Sequence, residues 1–590
     1  MRKLILTTTS AILTILIFSI IYLSIYGIKT DNFNTFINNK VKDYNSNLTL
    51  QLDDVFVKLN PAKGSINIKT DNAILLADNS SLKIFKIDIK LNVLKFIKKE
   101  NSIKNIKIET SENSIKDLTS LLNSINYDLS RFIFYSQIKN GLIKFKLDTE
   151  FNSIEEKISS YTISGNIKDA KFNLVGNSSL DNINFNFKAK DKLTKISNLN
   201  FRYQDLNLLS RSIEIKNEEP GLYFINGDIE NDKALINPNI IFKLVNIKQD
   251  FLSKADISLK SKNLFSFSLK KYKLIDLKID SVIKFDEVNF SNEYQNLISL
   301  KEGTINSKYE NNQFNADLET NFGFSDKLKL NNDYKNNNLK ITLKSKNKNI
   351  KINGNIRNKK ILIDPKILLN LLKLNPNLLS DGNVNIETDN NFTFEVQNSK
   401  LKNYLINSTI DLDKLEFNRK IQDIFYLNNV QTKLTFGDKL LKLDLKSNYS
   451  IFNNNQNDSD NNIINLKLNK NNPNSSDVEI FVKGANNNIN TKKFKKYLNF
   501  QEDFVRDQNI KLNTNSLINF SIDDKLNIKK LAIRSDLNLD SLNINYKSNL
   551  IKKYLKNYEN KIVIKKPNIL LDYSNDIINL KLDGKYSLKN

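Results

Sequence analysis

Apolar and polar residues alternate with a period of two through most of this sequence, and this pattern limits the fold more than any other feature. Successive side chains of a β-strand point to opposite faces, so each alternating segment predicts a strand with one apolar and one polar face. We therefore predict a mostly β fold, an elongated and repeating antiparallel sheet. The clearest segments are Leu48, Leu50 and Leu52; Val55, Val57 and Leu59; Ile87, Ile89, Leu91 and Val93; Ile183, Phe185, Phe187 and Ala189; Phe265, Phe267 and Leu269; Leu339, Ile341 and Leu343; Ile350, Ile352, Gly354 and Ile356; Leu466 and Leu468; Leu537 and Leu539, with Leu542 and Ile544; and Leu580 and Leu582.

Asn and Asp supply most of the turns between these strands. The chain has only 14 Gly and 7 Pro, but Asn and Asp tolerate the left-handed backbone of tight turns. Pro61 and Gly64 predict one turn, and the asparagine-rich stretch 453–462 predicts an exposed loop. Strands of about ten residues plus turns would give roughly 40 strands, stacking to at most about 190 Å at about 4.8 Å between neighbours.

Helical patterns are few. Asp31 is placed to cap a short helix at 30–46, and an amphipathic pattern predicts a helix over 115–125. Two further helices are predicted at 367–372, between Pro365 and Pro376, and at 493–500. So few helices cannot cover the apolar faces of so many strands, and those faces need another covering.

The N-terminus carries a hydrophobic segment. No residue from Leu4 to Ile28 is charged, and at about 1.5 Å rise per residue this length covers a bilayer core of roughly 30 Å. Arg2 and Lys3 precede it, so the positive-inside rule predicts a cytoplasmic N-terminus and an exported remainder. A cleaved signal peptide is the alternative, but no A-x-A-like cleavage site follows the segment.

These patterns predict an order of parts along the chain. Residues 1–29 form a transmembrane anchor, 30–46 a short stalk helix, and 47–590 a β-rich region in which a subdivision near 360–380 is one option.

Composition excludes most catalytic chemistry. The sequence has no His, Cys or Trp, so it has no imidazole or thiolate for nucleophilic catalysis, no disulfides and no zinc site of the usual kind. A carboxylate-only enzyme such as a glycosidase stays formally open, but no acidic pair is singled out, and no nucleotide-binding loop is present. We expect no enzymatic activity, no cofactor and no metal.

The chain is strongly basic, with a formal net charge of +24. Its lysines are dispersed, and dispersed charge is typical of a solvated face and not of a nucleic-acid site. We expect no nucleic-acid partner, although a weak preference for anionic lipid headgroups would follow from this charge.

Three coverings are available for the apolar faces: sheet against sheet in β-sandwiches, closure into barrels, or a bent sheet whose concave face holds a ligand. Sandwich units of about 100 residues would show linkers between them, and neither such punctuation nor an exact internal repeat is evident. The N-terminal helix and the lysine-rich outward pattern disfavour a membrane barrel.

The first seventy or so residues, followed by long alternation, resemble the AsmA-like family, which includes the TamB and YhdP relatives. The shared features are the anchor, the short helix, and the series Leu50, Leu52, Val55, Val57, Leu59, Pro61, Gly64, Ile66 and Ile68. The resemblance implies a taco-like β-groove, anchored in a bacterial inner membrane, that carries phospholipid across the periplasm and contributes to outer-membrane biogenesis. It also implies an outer-membrane or envelope partner at the far end.

Inward apolar side chains are the expected lipid contacts. The candidates are Phe185, Phe187, Phe265, Phe267, Ile341, Leu343, Leu466, Leu468, Leu537 and Leu539. Alternation alone does not separate such a groove from a closed core, so a non-enzymatic scaffolding protein built of β-sandwich units, without lipid cargo, remains the alternative.

Overall fold

The computed structural model describes residues 2–77, 80–98, 100, 102–125, 137–152, 157–174, 178–204, 206–237, 257–271, 273–290, 298–324, 334–347, 349–364, 382–398, 400–416, 425–438, 440–451, 462–472, 475–491, 505–523 and 527–588. The fold is mostly antiparallel β, a long sheet of 30 strands with an N-terminal apolar helix and a few short helices. The predicted fold class is confirmed. The strands are fewer than the roughly 40 expected because many are longer than ten residues, up to the 17 of Lys273–Asn289.

The helices are α1 (Arg2–Ile25), α2 (Asn32–Tyr44), α3 (Val93–Ile97), α4 (Ile115–Ile125) and α5 (Asn549–Tyr554), and short 3-10 turns cover Pro61–Lys63 and Tyr334–Asn336. The first fourteen strands are β1 (Ile28–Thr30), β2 (Leu48–Gln51), β3 (Val55–Asn60), β4 (Ser65–Ala77), β5 (Ser80–Asn92), β6 (Ile103–Thr110), β7 (Asn113–Ser114), β8 (Ile138–Phe151), β9 (Ile158–Asn173), β10 (Ser179–Lys190), β11 (Leu193–Tyr203), β12 (Leu206–Glu219), β13 (Leu222–Ile236) and β14 (Ile257–Lys270).

The remaining strands are β15 (Lys273–Asn289), β16 (Ile298–Glu310), β17 (Gln313–Phe324), β18 (Asn337–Lys346), β19 (Asn349–Ile363), β20 (Val384–Gln397), β21 (Lys400–Leu415), β22 (Phe425–Gly437), β23 (Leu440–Ile451), β24 (Ile463–Asn472), β25 (Ser475–Asn490), β26 (Asn509–Asp523), β27 (Ile528–Leu539), β28 (Ser541–Asn545), β29 (Lys561–Ser574) and β30 (Ile577–Leu588).

The chain divides into two compact units, and antiparallel pairing between successive strands organises each. The first unit contains β1 to β14, paired in the order β1, β3, β4, β5, β6, β8 and then β9 to β14, with β2 on β4 and β7 on β8. The second contains β17 to β30, paired in sequence except that β27 and β28 both pair with β29.

Helix α1 has the length and composition of a membrane span or a signal sequence. Its segment Leu6–Ile25 has a mean hydropathy of 2.1 and is not buried by the rest of the protein. The hydroxyls of Thr7 and Thr14 donate to backbone carbonyls one turn earlier, at 2.9 and 2.8 Å, as expected for polar side chains in an apolar helix. The membrane type and the orientation stay predictions.

Helix α1 ends directly at the sheet. Gly27 has a φ of +69°, and a Cβ there would lie 2.6 Å from the Phe56 ring and 2.7 Å from the Val57 carbonyl oxygen. Only glycine satisfies both the left-handed backbone and this close approach. The next residue, Ile28, pairs with Val57 as the first residue of β1, so the apolar helix is joined to the sheet without a linker.

Helix α2 corresponds to the helix predicted at 30–46, but it packs on the sheet and does not stand apart as a stalk. Its Ile37 is buried, and Phe33 and Val41 pack against the same cluster. Asp31 precedes the helix without making a side-chain capping hydrogen bond, so the expected cap is wrong. The apolar face of α2 is what holds it in place.

Buried apolar residues are concentrated in the first unit. One cluster combines α2, α4 and strands β2 to β5, and its buried members are Ile37, Leu48, Leu50, Val55, Val57, Ile68, Ala73, Ala77, Leu82, Ile84, Ile87, Leu91 and Leu121. The predicted helix over 115–125 is confirmed as α4, whose inward face completes this cluster. Two smaller clusters in the second unit lie around Ile361 and Ile386 and around Leu427, Val430 and Tyr449.

Many long strands contain a residue with left-handed backbone in mid-strand. Such residues are Asn72, Asp169, Asn182, Asn198, Asp276, Glu302, Lys360, Asn429, Asn486, Lys530 and Lys566. Several coincide with shifts of pairing register, for example between Asn358 and Ile361 in β19 and between Gly484 and Asn487 in β25. Such β-bulges bend a strand and increase its local twist.

The strands follow a repeat that is degenerate in sequence. Residues 225–236 in β13 match residues 352–363 in β19, 127 positions later. Both segments have the pattern Ile-Asn-Gly-x-Ile-x-Asn-x-Lys-x-Leu-Ile. Their partners match at the same spacing, since β14 reads Ser-x-Asn-x-Phe-x-Phe from Ser261 and β20 reads Thr-x-Asn-x-Phe-x-Phe from Thr388. The structure thus contains a repeat that strand alternation alone did not reveal.

The longest connections between strands recur with the same period. They follow β1, β7, β13, β19 and β25, every sixth strand, and span residues 31–47, 115–137, 237–256, 364–383 and 491–508. The first two contain α2 and α4, and most residues of the other three lie outside the described part of the chain. The structure does not describe the residues of the helices predicted at 367–372 and 493–500, nor most of the region near 360–380 where a subdivision was one option. Strands β19 and β20, on either side of that region, pair directly.

Candidate functional site

The strand registers align the apolar residues of the first unit into continuous rows on one face of the sheet. One row crosses nine strands through directly opposed residues, and it consists of Ile87, Ile108, Leu147, Ile163, Ala189, Thr194, Ile215, Ile225 and Phe267. A parallel row consists of Phe145, Gly165, Phe187, Ile196, Ile213, Gly227 and Phe265. We call this side of the sheet the apolar face.

The second unit has an apolar face of the same kind. One row consists of Leu318, Ile341, Gly354, Phe392, Ile406, Phe436 and Leu441. Another consists of Leu445, Leu466, Ile480, Ile518, Ile533, Tyr573 and Ile578. Because opposed side chains lie about 4.5–5.5 Å apart, each row is a nearly unbroken apolar track.

All ten predicted contact residues lie in strands, on the apolar face of their own unit. They occupy β10, β14, β18, β24 and β27 as five pairs, and every one is half-buried: Phe185, Phe187, Phe265, Phe267, Ile341, Leu343, Leu466, Leu468, Leu537 and Leu539. Phe187 and Phe265 share a row across β10 to β14, and the Phe265 and Phe267 rings stack with centroids 6.0 Å apart. These side chains belong neither to the buried core nor to the fully exposed surface.

Among the residues that the structure describes, helices α2 and α4 pack on the beginning of the first unit's apolar face. Ile115 of α4 forms a cluster with Ile143 and Ala170, and Ile183 and Phe187 pack against it. Phe187 is therefore partly a packing residue. Beyond β10 the rows continue through half-buried side chains such as Ile213.

Two glycines lie under phenylalanine rings, and one of them, Gly354, is on the apolar face directly opposite Phe392 of the neighbouring strand. A Cβ added to Gly354 would lie 2.1 Å from the Phe392 ring, and one added to Gly303 would lie 1.9 Å from the Phe285 ring. The ring covers the exposed backbone that glycine leaves. Phe392 and Phe394 alternate in the same way as Phe265 and Phe267 but were not among the predicted contact residues.

Each unit has hydrogen-bonded polar side chains on its apolar face, beside the bulges. Asn231 donates to the Leu259 carbonyl at 3.1 Å and accepts from Ser261 at 2.5 Å. In the repeat, Asn358 donates to the Ile386 carbonyl at 3.3 Å and accepts from Thr388. Each of these buried amides bonds to a backbone carbonyl and a hydroxyl of the neighbouring strand, so it helps to fix the strand register.

A buried polar cluster of the second unit consists of Asn462, Asn487 and Tyr449. Asn462 donates to Asn487 at 2.8 Å, and Asn487 donates to the Tyr449 hydroxyl at 3.2 Å. Asn462 was expected in an exposed loop and is instead in the interior; the rest of that stretch, 453–461, lies outside the described residues. Burial raises the pKa of Tyr449, so its phenol stays neutral.

The opposite face is polar and carries ion pairs between directly opposed residues. Lys467 and Glu479 are 2.9 Å apart and Lys340 and Glu319 are 2.7 Å apart. The hydrogen bond that Lys467 donates to Glu479 is the main cause that raises the pKa of Lys467. These pairs are exposed and contribute little stability, but they explain why the lysines are dispersed along the chain.

The polar face also carries a surface hollow. A cavity of about 440 Å³ at the ends of β17 to β20 is lined mainly by Lys, Asn, Gln and Glu side chains, including Lys344 and Glu395. Such a lining does not suit an acyl chain. In the part of the chain that the structure describes, no group of three or more acidic side chains is arranged to hold a metal ion.

No protein-family model matches this sequence, and no curated protein is similar enough to count as a relative.

Proposed function

We propose that this protein is anchored in a bacterial inner membrane by α1 and that its apolar face holds the acyl chains of phospholipids as they move between the inner and outer membranes. Headgroups stay in water along the open side of the sheet. The protein acts as a path for lipid, not as an enzyme or a pump, and it contributes to outer-membrane biogenesis with an envelope partner at its far end.

The continuous rows of half-buried apolar side chains carry this proposal. A closed core buries its apolar side chains fully, whereas the residues of the rows beyond β10 keep part of their surface accessible. Each methylene group moved from water to an apolar surface contributes about 0.8 kcal/mol. A continuous track therefore lowers the barrier for a lipid that leaves a bilayer.

The repeat supports the resemblance to AsmA-like proteins, which implies a repeated β-groove. Arg2 and Lys3 before α1 support a cytoplasmic N-terminus and a periplasmic sheet, by the positive-inside rule. The absence of His and Cys from the sequence supports a function without nucleophilic catalysis or cofactors.

The proposal is tested by placing charge on the apolar face at two opposed residues of neighbouring strands. Leu466 and Ile480 are directly opposed in β24 and β25 and are both half-buried. With a photo-crosslinking amino acid at Leu468, we expect phospholipid adducts in the wild-type background and their loss in the L466D/I480D variant. Circular dichroism is expected to show that the sheet remains folded.

The control introduces aspartate on the opposite face of the same strands, at Asn465 and Lys483, whose partners in the register are Phe481 and Ile463. The N465D/K483D variant is expected to keep the lipid adducts. Adducts that survive L466D/I480D unchanged, or a wild-type protein that yields none, would overturn the proposal.

A scaffolding protein without lipid cargo is the second candidate, and the closed cluster around Ile115, Ile143 and Ala170 favours it. If the whole apolar face is such a core, L466D/I480D unfolds the second unit. Lipid mass spectrometry after extraction in mild detergent then finds no bound phospholipid.

A further inference from the structure

Several elements of the first unit lie at one edge of the sheet, the one formed by the strand ends next to α1. Ile28 pairs with Val57, and β3 continues from Val57 to Asn60, so α1 enters the sheet from the side where β3 ends. Asn60 pairs with Ser65, and Ser65 pairs with Asn92 at the end of β5. The turn at Pro61–Lys63 and helix α3, which follows Asn92, therefore lie at that same edge.

Helix α3 presents apolar side chains outward at this edge. Asn92 caps it by accepting from the backbone amides of Leu94 and Lys95, at 3.0 and 3.3 Å. Phe96 turns inward and stacks on Phe33 of α2 with ring centroids 6.4 Å apart. Leu94 and Ile97 are left 71 % and 70 % exposed.

Three exposed lysines lie at the same edge as the two exposed apolar residues. Lys63, Lys90 and Lys98 are exposed at the same edge. Exposed leucine and isoleucine beside lysines are the composition of surfaces that enter the headgroup region of an anionic bilayer. The capping bonds and the Phe96 stacking hold this surface in one orientation.

We propose that α3 and the Pro61–Lys63 turn form a second membrane contact, with Leu94 and Ile97 inserted into the interface of the bilayer that α1 spans and the lysines placed against anionic headgroups. The proposal rests on the proposed anchor. Because α1 joins β1 without a linker at Gly27, the two contacts together fix the angle between the sheet and the membrane.

The chain lacks tryptophan, so a single introduced tryptophan reports on one position. Three full-length variants are reconstituted into vesicles of phosphatidylcholine and phosphatidylglycerol, with bromine near the glycerol end of the phosphatidylcholine chains. L94W tests the contact, F18W in α1 tests the anchor, and L235W in β13 is the control, since Leu235 is 69 % exposed and lies away from this edge.

We expect bromine to quench the fluorescence of L94W several-fold more than that of L235W, and omission of phosphatidylglycerol to weaken the quenching of L94W. Strong quenching of F18W with equally weak quenching of L94W and L235W overturns the second contact and leaves the anchor intact. Weak quenching at all three positions overturns the anchor and, with it, this contact.

Discussion

Glycine has a packing role on the apolar face, where it lies beneath an aromatic ring. Gly354 sits at an apolar position of the alternation and is covered by Phe392, and its backbone is not left-handed. The pattern Ile350, Ile352, Gly354, Ile356 predicted the strand. The reason for glycine within it appears only across the strand pair.

Gly354→Ala is expected to destabilise the protein by about 1–3 kcal/mol, since the added methyl forces the Phe392 ring away from a tight site. Urea unfolding in detergent, followed by circular dichroism, measures the difference. Gly323→Ala is the control, because the nearest atom to its added Cβ lies 3.6 Å away. Equal effects of the two substitutions would show that the ring contact contributes nothing.

Tyr449 tests how much the buried polar cluster contributes to stability and how this contribution depends on pH. Tyr449→Phe removes the hydroxyl that accepts from Asn487 and is expected to cost about 1 kcal/mol at neutral pH. The raised pKa of Tyr449 means that its contribution is complete below pH 10 and is lost as the pH rises through the folded-state value. The stability difference between wild type and variant should therefore shrink above pH 10. A difference that is constant with pH contradicts the burial of this phenol.

At the scale of single elements, α4 combines a buried and an exposed face. Its apolar spacing predicted the helix correctly over Ile115–Ile125. Leu121 is 3 % exposed and its neighbour Leu122 is 40 % exposed, so adjacent leucines of one helix have different environments.

Leu121→Ala is expected to cost about 2–5 kcal/mol, because it leaves a cavity between α4 and the sheet. Leu122→Ala is the control on the same helix and should cost much less. Thermal unfolding of both variants gives the comparison. Similar losses would mean that α4 is not seated on the sheet by this face.

The alternation of apolar and polar residues does not predict the bulges. Asn and Asp were assigned to turns, and residues such as Asp191 and Asn398 do sit there with left-handed backbone. Others, such as Asn182 and Asn429, have the same backbone inside strands. Local sequence does not separate the two, because a turn and a bulge need the same left-handed residue and differ only in what the neighbouring strand does.

At the scale of the whole molecule, the six-strand repeat makes a specific prediction. Deleting residues 237–363 removes one repeat and joins β13 to the connection that precedes β20. The new neighbours keep the Gly and Phe pairing, since Gly227 replaces Gly354 opposite Phe392. We expect a folded protein, as for other repeat proteins that lose one repeat. Its circular dichroism spectrum should still be typical of β-structure, and its melting temperature should be modestly lower.

The control deletion, residues 237–348, removes only β14 to β18 and joins β13 directly to β19. These two strands run in the same direction, and a short connection cannot pair parallel strands. This variant should misfold or aggregate. Equal folding of both deletions would show that the six-strand period has no structural meaning.

The sequence by itself determined the features that depend on neighbouring residues: the apolar N-terminal helix, the strands, the face of each strand that is apolar, and helix α4. All follow from periodicity, which is a local property of the chain. Only the tertiary structure decided how far each apolar residue is buried and that Asn462 lies in the interior. It also decided that Phe187 packs under α4 while Phe267 continues an open row. These depend on residues far apart in sequence, brought together by bulges and strand register.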